Sequence, residues 1–120
     1  MNNKWIVIGL VAAMTLTACG GGSSGPEPLN VTFTADNTFT FDPATLTAKV
    51  GQPINVTMKN GGALEHTFLI DELGVNSGTV ASGQSGTVSF TPDTAGTYTF
   101  YCNVPGHQVG GMIGTLTVTE

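Results

Sequence analysis

Short segments in which apolar and polar residues alternate follow one another from position 29 to the end of the chain. Alternation of this kind places successive side chains on opposite faces of a strand, and turn residues such as Gly51-Gln52-Pro53 and Asn60-Gly61-Gly62 separate the segments. No stretch shows the longer period of a long helix. The pattern predicts seven strands, over 30–34, 44–49, 53–59, 66–70, 86–91, 97–101 and 115–119. Strands of this length and spacing are typical of an all-β antiparallel sandwich.

The N-terminal segment has a different pattern, with one apolar run over 5–14 that follows Lys4. This run is shorter than the roughly 20 residues that a membrane-spanning helix needs. Leu16-Thr17-Ala18-Cys19 comes next and resembles the bacterial lipobox, whose cysteine is lipidated and becomes the first residue of the mature protein. We therefore expect a lipoprotein signal peptide at 1–18 and export, with Cys19 anchoring the protein by its lipid to the outer face of the cytoplasmic membrane or otherwise in the periplasm. Ordinary secretion is the alternative.

Glycine, serine and proline dominate the segment from Cys19 to Pro28, which has almost no apolar surface to bury. A segment of this composition is expected to be a flexible tether over 19–28. The remaining residues, 29–120, are enough for one hydrophobic core and too few for two domains.

The predicted mature chain is acidic, because Lys49 and Lys59 are its only basic residues apart from histidine and eight Asp and Glu residues oppose them. Its net charge is therefore near minus six. A surface of this sign excludes nucleic acid as a partner, since phosphate binding needs lysine and arginine. It suits basic redox proteins, although acidity also serves solubility.

Four residues form a candidate metal site. Cys102, His107 and Met112 are separated by four residues each, and His66 is the only other histidine of the chain. Two imidazoles and a thiolate in a roughly trigonal plane, with a weak axial thioether, make a type 1 (blue) copper site that suits both oxidation states of the metal. A buried Cys, His or Met taken alone usually serves packing, so the prediction depends on the four residues occurring together.

The alternation of residues in the strand before this cluster predicts the direction of the Cys102 thiol. Phe100 and Cys102 share one parity with Tyr98, so the thiol is expected to point inward with the large apolar side chains. The loop over 103–112 contains three glycines, which permit the backbone turns that bring its other ligands back to the thiol. We do not expect a disulfide between Cys19 and Cys102, because Cys19 is expected to carry the lipid and Cys102 to bind the metal.

The segment 96–107, with the sequence GTYTFYCNVPGH, resembles the metal-binding loop of the cupredoxin family, and segments 41–47 and 50–53 resemble its earlier strands. The resemblance covers 29–120, and the spacing is similar to that in the auracyanin and rusticyanin branches rather than the shorter one of plastocyanins. It implies a cupredoxin-like Greek-key β-sandwich of seven to eight strands. It also implies one type 1 copper ion bound by His66, Cys102 and His107, with Met112 on the axis.

One position departs from the family pattern. Many members carry Asn or Ser directly after the first histidine ligand, whereas this chain has Thr67. In the family the backbone amide at this position donates to the thiolate, which threonine still allows, and its hydroxyl can brace the ligand loop. Of the nearby residues, Glu65 is expected to be a solvated loop carboxylate and Met58 to fill the core.

The resemblance implies a one-electron carrier rather than an enzyme, with no small-molecule substrate. In the family the second histidine of the loop has an exposed edge, and here this is His107. Redox protein donors and acceptors are expected to dock near it on a small apolar patch. The residues expected in that patch are Val104, Pro105, Val109, Gly111 and Ile113.

Two other functions remain to be weighed. A copper oxidase or nitrite reductase component needs a second copper centre open to substrate, and the chain has no spare histidine for one. Copper storage or delivery usually needs an open, Met- and His-rich site, whereas Met58 and Met112 are the only methionines after the predicted signal. Storage or delivery is kept as the alternative function.

Overall fold

A computed structural model of the protein describes residues 25–120, so the predicted signal peptide, the lipidation site Cys19 and most of the tether lie outside the described residues. The described chain forms eight strands and one turn of 3-10 helix, Asp71–Leu73. The strands are β1 Leu29–Ala35, β2 Thr45–Lys49, β3 Ile54–Asn60, β4 Leu69–Ile70, β5 Val75–Asn76, β6 Ser85–Phe90, β7 Gly96–Tyr101 and β8 Ile113–Thr119. From residue 25 onward, none of the helical structure has the length and apolar character to cross a membrane.

The strands form two sheets that pack face to face, one of three strands in the order β1-β3-β6 and one of five in the order β2-β8-β7-β4-β5. The pairs β1–β3 and β2–β8 are parallel, and the other pairs are antiparallel. The all-β sandwich of seven to eight strands is confirmed, but its sheets are mixed and not purely antiparallel as the pattern predicted. Parallel neighbours are joined by crossover connections, which the alternation within a single strand does not reveal.

Six of the seven predicted strands agree with the structure to within two residues. The prediction of a strand over 66–70 was wrong for its first half, because only Leu69 and Ile70 join a sheet. The amide of Thr67 instead donates to the sulfur of Cys102, and the amide of Phe68 donates to the hydroxyl of Ser77. These amides are used by side-chain acceptors, so no strand can pair with them there. The short strand β5 was not predicted.

Four phenylalanines form the centre of the core, and their ring centroids lie between 5.1 and 5.8 Å apart. The four are Phe33, Phe41, Phe68 and Phe100. Aromatic pairs at these distances add to the free energy that burial of the rings already provides. Phe68 and Phe100 lie two residues from His66 and Cys102 respectively, so this aromatic cluster fixes the segments that carry two candidate ligands. Met58 is also buried in the core, as predicted.

Candidate metal centre

The four residues predicted as ligands lie together at one end of the sandwich, beneath its surface. Cys102 directly follows β7, Met112 directly precedes β8, and His107 lies on the loop that joins these strands. His66 comes from the segment before β4. The side chains of His66, Cys102 and Met112 are fully buried, and His107 is 4% exposed.

Their donor atoms converge. The ligand atoms of His66, Cys102 and His107 all lie within 4.8 Å of one another, and among residues 25–120 they are the one such group able to hold a metal ion. The sulfur of Cys102 lies 3.5 Å from Nδ1 of His107, and the sulfur of Met112 lies 3.1 Å from Nδ1 of His66. The structure thus brings all four predicted residues to one site. The side chain of Cys102 points inward, as the alternation of side chains along β7 predicts.

The backbone of Met112 closes the loop between β7 and β8. Its N–H donates to the carbonyl of His107 at 3.0 Å, and its carbonyl accepts from the amide of Cys102 at 3.2 Å. Gly106 and Gly111 adopt φ values of 85° and 114°, which side-chain-bearing residues rarely adopt. The loop therefore returns to its starting strand, and one residue is hydrogen-bonded through its backbone to both other ligand positions of the loop.

His66 is held from two directions. Its backbone forms a two-bond bridge with Val80, at 3.1 and 2.8 Å. Its ring Nε2 lies 2.9 Å from the carbonyl oxygen of Asp36, which can only accept, so Nε2 carries the proton and Nδ1 presents its lone pair to the site. A histidine ligand is commonly oriented in this way by a hydrogen bond from its other nitrogen.

Thr67 connects the two segments that carry His66 and Cys102. Its amide donates to the sulfur of Cys102 at 3.4 Å, and its hydroxyl lies 3.6 Å from the same sulfur. The hydroxyl also donates to the side-chain oxygen of Asn103 at 2.8 Å and accepts from the amide of Asn103 at 2.9 Å. Both expected roles of Thr67, the amide donor and the brace on the ligand loop, are confirmed.

The surroundings of His107 favour its neutral form. Burial lowers the pKa of His107 below its ordinary value, and electrostatic repulsion from the neighbouring His66 acts in the same direction, while the exposed carboxylate of Glu65 opposes the shift. A neutral imidazole is the form that binds a metal ion, because a protonated ring nitrogen has no lone pair to donate.

The surface around His107 differs from the expectation. An exposed imidazole edge was predicted, but the ring is buried and the ring of Phe39 packs against it, with the centroids 4.6 Å apart. Val109 is 96% exposed, so it can belong to a contact patch as expected. Ile113, in contrast, points away from the core, on the outer face of the larger sheet, while its neighbour Gly114 faces inward. The expected patch therefore reduces to the loop residues before Met112.

Three residues near the site were not predicted. Asp36 contributes a backbone carbonyl, which no side-chain pattern indicates. Phe39 lies 68 positions before His107 in the chain, and its contact depends on the connection between β1 and β2. Asn103 follows Cys102 directly, and its bonds to Thr67 were expected only as a general brace on the loop.

Comparisons with known proteins agree on one family. The family described as "Cupredoxin-like domain" matches residues 6–118. The copper-resistant cuproprotein CopI of Rubrivivax gelatinosus is 29% identical over 116 residues, covering 81% of this chain and 70% of CopI. The plastocyanin of Scenedesmus fuscus is 37% identical over 89 residues, covering 65% of this chain and 85% of the plastocyanin.

A solved structure shows the same fold. The dithionite-reduced auracyanin of the photosynthetic bacterium Roseiflexus castenholzii superposes with a TM-score of 0.70 at 26% identity, covering 79% of this chain and all of that auracyanin chain. The fold and the donor set thus define a small copper-binding β-sandwich. The chain belongs to the cupredoxin family. The family cofactor is one type 1 copper ion, and two imidazoles, one thiol and one thioether with converging donor atoms fit it.

Substitution of Thr67 tests how much its hydroxyl contributes to the stability of the protein. Thr67→Val keeps the amide donor to Cys102 but removes both hydroxyl bonds to Asn103, so we expect the free energy of unfolding to fall by about 1–3 kcal/mol. Urea denaturation of the purified protein measures the loss. Thr67→Ser retains the hydroxyl and is the matched control, expected within ~0.5 kcal/mol of the natural protein. Equal stability of the Val and Ser variants would show that the brace contributes nothing.

Proposed function

We propose that this chain is an exported one-electron carrier in which His66, Cys102 and His107 would bind a type 1 copper ion, with the thioether of Met112 as a weaker fourth donor. The burial of the site supports this function. All four donor side chains are buried, and their donor atoms lie close together. An enclosed centre of this kind supports electron transfer through the protein to a partner and leaves a substrate no access to the metal.

The bound copper would supply the change between cuprous and cupric states, which type 1 ligation suits. The chain's own residues hold the donors in place for both states. Thr67 binds the thiolate of Cys102 through its amide, Asp36 orients the imidazole of His66, and the aromatic cluster fixes the segments behind them. Donors that need not move when the charge changes keep the cost of reorganisation low.

Partner proteins are proposed to dock on the exposed part of the β7–β8 loop. Val104 is half-buried, Pro105 and Gly111 are exposed, and Val109 projects into solvent. Leu64, 42% exposed on the loop before His66, adds apolar surface from a second loop. A small apolar patch of this size suits a brief complex, and the net negative charge favours a basic partner.

Export and membrane attachment are also proposals. The apolar run over 5–14 and the lipobox-like Leu16-Thr17-Ala18-Cys19 support a signal peptide and a lipid on Cys19. The tether over 19–28 then leads into β1, which begins at Leu29. A domain attached in this way stays at the membrane while its copper end reaches redox partners.

Copper handling is the second candidate function, favoured by the similarity to a copper-resistant cuproprotein. A storage or delivery protein must release its metal to a partner, and open sites rich in methionine allow this. Burial of all four donors favours retention instead. Catalysis would need a second copper centre, and both histidines of the chain already belong to the one proposed here.

The ligand role of Cys102 is tested by its removal. We expect the copper-loaded protein to show an intense copper–thiolate absorption at about 600 nm, and Cys102→Ser to lose it, because a hydroxyl does not supply the charge-transfer donor. The matched control is Cys19→Ser, which removes the other cysteine of the chain and should keep the absorption while losing the lipid. Blue colour in Cys102→Ser would overturn the assignment.

The axial role of Met112 has a separate signature. Met112→Leu should still bind copper but should have a higher reduction potential, because the weak thioether donor that stabilises the cupric state is lost. Protein-film voltammetry measures the potential. Met58→Leu replaces the core methionine away from the site and should leave the potential unchanged. A Met112→Leu variant with the natural potential would argue that Met112 is not a ligand.

The docking patch is tested with a charged side chain. Val109→Arg should slow electron transfer to cytochrome c, a basic redox protein, by roughly threefold to tenfold, because it adds like charge and removes apolar contact. Stopped-flow absorbance measures the rate, and the blue absorption should be unaffected. Ile113→Arg places the same charge on the outer sheet face and should have a smaller effect. Equal rates in the Val109 variant and the natural protein would exclude Val109 from the interface.

A further inference from the structure

One short segment after β1 contacts both candidate histidine ligands. The carbonyl of Asp36 accepts from the ring of His66 at 2.9 Å, and three residues later the ring of Phe39 packs against the ring of His107. The centroids of the latter pair are 4.6 Å apart and the rings are inclined by 42°. Phe39 itself is half-buried, so the residue that contacts His107 also reaches the surface.

Hydrogen bonds hold this segment in place. The amide and the hydroxyl of Thr38 donate to one carboxylate oxygen of Asp36, at 2.8 and 2.6 Å. The side chain of Asn37 accepts from the amide of Ala63 at 2.8 Å, on the loop that leads to His66. Phe39 therefore extends from an anchored turn and not from a free loop.

Two glycines of the β7–β8 loop leave space for Phe39. A Cβ atom on Gly110 would lie 2.7 Å from a ring carbon of Phe39, closer than real Cβ contacts. One on Gly111 would lie 3.3 Å from the carbonyl oxygen of Phe39. The absence of side chains at these two positions lets the ring close down on His107. His107 is buried although Gly106 and Gln108 beside it are exposed.

We propose that Phe39 is a positioning residue that fixes the imidazole of His107 and covers its outer face against water and small reagents. The ring contact restricts rotation of the imidazole. The cover keeps water and small reagents away from the site, so electrons reach it mainly by tunnelling through the protein. The consequence for copper rests on the proposed function, since it requires His107 to be a ligand. The cover itself is a property of the two rings and can be measured without reference to electron transfer.

Chemical modification of histidine tests the cover directly, because the chain has only two histidines. The purified protein, copper-loaded and metal-free, is treated with diethyl pyrocarbonate, and the modification of each histidine is followed by peptide mass spectrometry. Phe39→Ala should speed modification of His107 by roughly threefold to tenfold, the factor that loss of one aromatic pair is worth. His66 is fully buried and serves as the internal control. Unchanged reactivity of His107, or equal acceleration at both histidines, would overturn the proposal.

Two further variants separate the cover from a general loss of packing. Phe39→Tyr keeps the ring and should restore the slow modification of His107. Phe90→Ala removes a half-buried phenylalanine next to Ile54, at the other end of β3 from the loops around the site, and should leave His107 unaffected. A fast rate in the tyrosine variant, or a Phe90 variant as reactive at His107 as Phe39→Ala, would contradict the positioning role.

Gly110→Ala approaches the same contact from the opposite side. Its new methyl group should displace the ring of Phe39 and expose His107 while leaving Phe39 present. In a Phe39→Ala background the same substitution should add little, because the ring it displaces is gone. Independent, multiplicative effects of the two substitutions would overturn the proposal.

The outcomes also separate this proposal from the proposed function. If the natural protein forms no blue copper site but Phe39→Ala still exposes His107 selectively, the electron-carrier proposal fails and the cover stands. If the blue absorption is normal and Phe39→Ala leaves the reactivity of His107 unchanged, the cover fails and the carrier stands.

Discussion

The alignment of two chain segments, one around His66 and one around Cys102, is the constraint on which the copper site depends. Phe68 and Phe100 belong to the same buried aromatic cluster, with their centroids 5.3 Å apart, and each lies two residues from a ligand position. Thr67 then joins the segments by its amide and its hydroxyl. Because the core sets this alignment, the folded chain can present the thiol and the first imidazole in position before copper binds.

The other two donors, His107 and Met112, are positioned by the loop that joins β7 and β8. Backbone bonds from Met112 to both His107 and Cys102 return the loop to its starting strand, and two glycines with positive φ allow the turns. Burial lowers the pKa of His107 and so favours the neutral ring that can bind a metal. Phe39 completes the arrangement from the segment after β1. Donor geometry in this domain is thus maintained by neighbours from four separate parts of the chain.

Local patterns were sufficient for most of the fold and for the ligand set. Alternation located six of the strands, and parity within β7 predicted the inward thiol of Cys102. The exceptions have one cause, which is contact between distant segments. The segment 66–68 has strand-like residues but donates its amides to Cys102 and Ser77, and parallel pairing of β2 with β8 depends on crossovers. The contact of Phe39 with His107 likewise cannot be predicted without the tertiary fold.

We propose that four buried donors hold one copper ion through a change of its oxidation state. The most direct measurement titrates the purified protein with copper, then reduces and reoxidises it repeatedly beside a copper chelator while absorbance and copper content are followed. We expect one copper per chain, an absorption at about 600 nm that disappears on reduction and returns fully on oxidation, and no transfer of metal to the chelator. Loss of copper on reduction, or bound copper without that absorption, would contradict it.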